Sequence, residues 1–124
     1  MYTEQDKKEI EHVLDVFADF IRNHPLVDVA YSEKFGYMLV HGQNGQLDEE
    51  WIPLAAASGR HMFDLLSDEL YADYLEAREG GFETELSQAE QDEILSQIDY
   101  YAKQLPEFDI NVQELFVEAK QTLL

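Results

Sequence analysis

The spacing of apolar residues along the chain is helical, then alternating, then helical again. Ile10, Val13, Leu14, Phe17, Phe20 and Ile21 recur at three- and four-residue intervals and form one stripe on a helix. Thr3 is placed to cap that helix, with Asp6 in its first turn. Pro25 disfavours helical geometry in the residue before it, so the helix is expected to stop near Asn23-His24.

From Leu26 to Gly42 the period is two, and this is the stretch around which the rest is expected to organise. Val27, Val29 and Tyr31 alternate with Asp28, Ala30 and Ser32, as in a half-buried strand. Tyr37 to His41 is apolar at nearly every position, which predicts a strand covered on both faces. Between them, Gly36 suits a type I turn closed by a glycine bulge, because glycine takes positive φ without strain. That turn pairs Tyr31 with Leu39 and Val29 with His41. A four-residue loop pairs Tyr31 with Met38 and Val29 with Val40, and the pattern leaves both registers open. A lone hairpin is marginal in water, so helices must cover it.

Gly42 to Gln46 reads as a loop. Ile52 precedes Pro53 and is expected to be extended, which leaves room for a short third strand at Trp51-Ile52. A helix is then expected from Pro53 toward Glu79, with Ala55, Gly59, Met62, Phe63, Leu66, Leu70 and Tyr74 on one face and a kink or restart at Ser67. Gly80-Gly81 ends it. Ser87 and Glu90 make a capping box ahead of a helix that carries Ile94, Leu95, Ile98, Tyr101, Ala102 and Leu105. After Pro106, Asp109 is expected to cap a last helix. That helix has a main row at Val112, Leu115, Phe116, Ala119 and Leu123 and a second, heptad-spaced row at Ile110, Val117 and Leu124. The predicted fold class is α+β, ordered as an N-terminal helix, one β-hairpin and about three amphipathic helices packed on it, in a single compact domain over 1–124.

Charge changes this picture more than composition does. The net charge is -19, which gives solubility, repels nucleic acid and anionic membranes, and attracts a basic partner. The carboxylates are densest from Asp64 to Glu93, where Asp68, Asp73 and Glu76 lie and where Arg78 is the lone basic residue. A face of one sign suits docking onto a basic surface. The absence of cysteine excludes a disulfide framework, a cysteine nucleophile and cysteine-bound metal. It also fits a reducing compartment. The N-terminal residues are polar and acidic, unlike a secretory signal, and no apolar run is long enough for a membrane helix. A cytoplasmic location with no membrane contact is expected.

Candidate chemistry is sparse. Glu9 and His12 have the E-x-x-H spacing of carboxylate-bridged metal bundles, but no second copy exists and both point away from the apolar stripe. No pair of histidines has helical zinc spacing, so no metal or cofactor is expected. Arg60 and His61, in Ser58-Gly59-Arg60-His61, are the candidate ligand-binding pair because together they suit an anion. Neither a nucleophile elbow nor a phosphate loop surrounds them. The second row of the last helix, Ile110, Val117 and Leu124, is a candidate contact for a partner, most simply a second copy of the chain. The functional expectation is a small acidic intracellular protein acting as a non-catalytic interaction or accessory module. The alternatives are a nucleic-acid-mimicking inhibitor of a DNA-binding protein, and a small-ligand binder or enzyme using Arg60 and His61.

Overall fold

The computed structural model describes residues 3–43, 46, 47 and 52–114. The protein is α+β: helices, then a small antiparallel sheet, then helices again. Its contacts divide the chain into two compact units, residues 1–65 and 66–124.

In the first unit, Thr3 closes a capping box with Asp6 and opens α1, Glu4–Val16. Each residue's side chain accepts from the other's backbone N–H, which satisfies two donors that a helix start leaves free. The expected single helix is in fact interrupted at Phe17, and α2 continues it as Ala18–Asn23. The hydrogen bonds on either side of the break, Phe17 to Val13 and Ile21 to Phe17, are both kept. Phe17 is fully buried, with its ring edge-on to Phe63 at 5.7 Å. His24 is extended ahead of Pro25, as expected of a residue that precedes proline.

The sheet follows. β1, Val27–Ser32, pairs antiparallel with β2, Gly36–Gln43. Gly36 has a φ of 73°, the left-handed turn position expected of it. The register is neither of the two expected ones: Tyr31 faces Tyr37, Val29 faces Leu39 and Val27 faces His41. Only Glu33, Lys34 and Phe35 lie between the paired ends. The shorter loop brings the Tyr31 and Tyr37 rings to 4.8 Å, and α1 adds contacts on the same face. The Tyr37 hydroxyl donates to Glu11 at 2.8 Å, and the Lys7 ammonium lies 5.2 Å from the Tyr31 ring centre. Leu39 and Val40 point to opposite faces and are both buried, so β2 is covered on two sides.

Two further short strands pair with β2 on the chain's way to the next helix. β3, Gln46–Leu47, pairs with Gln43 and Gly42, so the expected loop is a second hairpin. β4, Leu54–Ala55, pairs with Leu39 and Met38. This strand therefore lies three residues later than the expected Trp51-Ile52, of which Trp51 falls outside the described residues.

Because Leu54 and Ala55 are extended, α3 begins at Gly59 and not at Pro53. It runs unbroken to Ala77, without the expected restart at Ser67. Met62, Phe63, Leu66, Leu70, Tyr71 and Leu75 bury its apolar face. In the second unit, α4 spans Gln88–Ala102 behind the expected Ser87–Glu90 capping box, and Ile94, Ile98 and Ala102 are buried. Pro106 starts a short 3-10 turn, Pro106–Phe108. Asp109 then takes a left-handed φ of 48° and does not cap the last helix. Asn111 does: its Oδ1 accepts from the Glu114 N–H at 3.2 Å, and residues 112–114 are helical. Among the described residues, no helix is long and apolar enough to cross a membrane.

Candidate functional site

Arg78 is one residue beyond α3, in the stretch where every other charged residue is acidic. Its guanidinium organises the connection to α4. Nε donates to Glu90 Oε2 at 2.6 Å, and Nη2 donates to Glu90 Oε1 at 3.1 Å. Nη1 donates to the Gly81 carbonyl at 2.6 Å and the Thr84 carbonyl at 2.9 Å, and Nη2 also reaches the Glu85 carbonyl at 3.2 Å. An arginine has five N–H donors, so this set uses its full capacity. Glu90 is at the same time the capping-box acid of α4, accepting from Ser87 N–H at 3.0 Å. The Arg78 hydrogen bonds and then the Ser87 N–H hold the Glu90 carboxyl at a pKa of about 2.

The glycines make this loop shape available. Gly80 has a φ of 90° and Gly81 of 50°, and a Cβ at Gly80 would run into the Thr84 side chain. Under the folded loop lies a cleft of about 190 Å³, lined by Tyr71 and Leu75 of α3 and by Phe82, Glu83, Thr84, Glu85 and Leu86. Tyr71 and Leu75 are buried, whereas the Phe82 side chain is 42% exposed. Glu83 and Glu85 are exposed. The Tyr74 hydroxyl donates to Glu93 at 3.0 Å and ties α3 to α4. Burial, followed by that carboxylate, raises the Tyr74 pKa.

Of the acidic contact candidates, Glu76 is exposed, while Asp68 and Asp73 are half-buried on α3. Ile110 is half-buried between the 3-10 turn and residue 112. Val117 and Leu124 lie outside the described residues, and so does most of the second apolar row. Arg60 and His61 belong to the first turn of α3, not to its interior. Arg60 pairs with Asp64 at 3.1 Å, along the helix. The His61 N–H donates to Ser58 Oγ at 3.1 Å, and His61 Nδ1 accepts from Ala57 N–H at 2.9 Å. Ser58 thus caps the N3 backbone of α3, while the His61 ring turns back to the N–H of Ala57, one residue before the cap. Both side chains thus have local work at a helix start.

Phe82, Thr84 and Leu86 were not singled out from the sequence. The available signal was weak: an apolar residue directly after Gly80-Gly81, set among Glu83 and Glu85. Comparison with known proteins finds no matching family, no matching curated protein and no matching solved structure.

Proposed function

We propose that this protein is a non-catalytic interaction or accessory module whose second unit docks onto a basic protein surface. The observation that carries this reading is the use of Arg78. The one basic side chain between Asp64 and Glu93 is only 10% exposed and is directed at Glu90 and three loop carbonyls. Glu76, Glu79, Glu83, Glu85, Asp92 and Glu93 are exposed around it. A field of one sign speeds encounter with an oppositely charged partner and rejects acidic ones.

The test is comparative capture from a cell lysate at low salt, with the wild type and a Glu76→Lys, Glu83→Lys, Glu85→Lys variant as baits. Circular dichroism would establish that the variant is folded. A basic protein should be retained by the wild type, lost by the variant and released by added salt. Identical retained proteins on both baits would contradict it.

A further inference from the structure

We propose that the cleft under the Arg78-pinned loop seats one apolar side chain of a partner segment, with basic residues of that segment flanking it. This deepens, and rests on, the reading of the second unit as a dock for a basic protein. Size is the first argument. At about 190 Å³ the cleft is smaller than the roughly 300–1,000 Å³ of ordinary small-molecule sites, and it suits a single side chain. The second is its chemistry: Tyr71, Leu75, Phe82 and Leu86 offer apolar contact, and the carboxylates of Glu83 and Glu85 stand among the lining residues. An apolar group can enter while lysine or arginine neighbours meet the two glutamates. The third is preorganisation. Arg78 holds the backbone at Gly81, Thr84 and Glu85 before any partner arrives, so little loop entropy remains to be lost on binding. Phe82 is an exposed aromatic wall in this otherwise acidic segment, the residue type that most often anchors interfaces when covered.

The test uses the full chain and fluorescent pentapeptides Lys-Arg-X-Arg-Lys, where X is Leu, Met, Phe or Ala, with Ser-Ser-Leu-Ser-Ser as the neutral control. Anisotropy titrations are expected to give the best apolar X about tenfold or more over Ala, since burying such a side chain is worth that much. Phe82→Ala should remove most of this preference and leave the affinity for the Ala peptide unchanged. Glu83→Gln with Glu85→Gln should weaken every basic peptide and flatten the salt dependence while keeping the preference for an apolar X. Equal affinity for all four basic peptides overturns the cleft and leaves the acidic dock standing. A neutral control that binds as well as the basic Leu peptide overturns the basic flanks. No binding by any basic peptide overturns both readings.

Discussion

Arg78 and Glu90 meet twice, Nε to Oε2 at 2.6 Å and Nη2 to Oε1 at 3.1 Å, across the turn that joins α3 to α4. The same carboxylate caps α4 through Ser87, and the same guanidinium holds three loop carbonyls. One side-chain pair thus fixes a helix start and a loop together. Paired geometry of this kind is stronger than an ordinary exposed ion pair because both atoms of the fork are engaged.

Glu90 makes stability depend on pH in a defined direction. Its folded pKa is about 2, against an ordinary value of 4.5. A carboxyl depressed by folding adds stability above its unfolded pKa and loses it as pH falls through the folded value. Urea midpoints of the wild type and Glu90→Gln should therefore differ most above pH 4.5 and converge as pH falls toward about 2. A gap that stays constant over that range would show that the carboxylate's charge is not what holds the loop.

Two serines should respond differently to alanine. Ser87 Oγ accepts from the Glu90 N–H at 3.2 Å as the N-cap of α4, so Ser87→Ala is expected to cost about 1 kcal/mol. Ser67 is buried inside α3, and among the described residues its hydroxyl has no hydrogen-bond partner. Ser67→Ala removes an unsatisfied polar atom and improves helix propensity, so it should leave stability unchanged or raise it by up to about 1 kcal/mol. Denaturant unfolding at neutral pH checks both. A destabilising Ser67→Ala would mean that the hydroxyl has a partner or packs well.

With a net charge of -19, the folded chain repels itself. Salt screens such repulsion over roughly 10 Å at 0.1 M. The melting temperature is expected to rise between low and moderate sodium chloride. A flat or falling curve would show the carboxylates to be paired or well spread.

Features that depend on neighbours in sequence were legible; those that depend on distant partners were not. The Thr3 cap and the Ser87–Glu90 capping box need only residues three apart, and both formed as expected; the return bond from Thr3 N–H to Asp6 was not foreseen. The hairpin's existence followed from alternation, but its register rests on Tyr31 meeting Tyr37 and on α1 reaching both rings. β4 was hidden because Ala55 continues the helical spacing of Gly59 and Met62. Ser58 was the true start signal, and its partner His61 is not the usual capping acid. Asp109 was a plausible cap by residue type, yet Asn111 caps the last helix. At the candidate site, the acidic bias was plain from composition. The cleft was not, because it requires Arg78 to fold back on carbonyls three, six and seven residues ahead, and carbonyls leave no mark in a sequence.

The proposed basic partner docks on the second unit at the loop that Arg78 orders. Amide chemical-shift mapping tests it most directly, with ¹⁵N-labelled protein titrated with the Lys-Arg-Leu-Arg-Lys peptide. Docking there gives saturable shifts concentrated at Tyr71, Leu75, Glu76 and residues 82–86, and their loss at high salt. Shifts spread evenly over the acidic surface, or concentrated at Arg60 and His61, would contradict it.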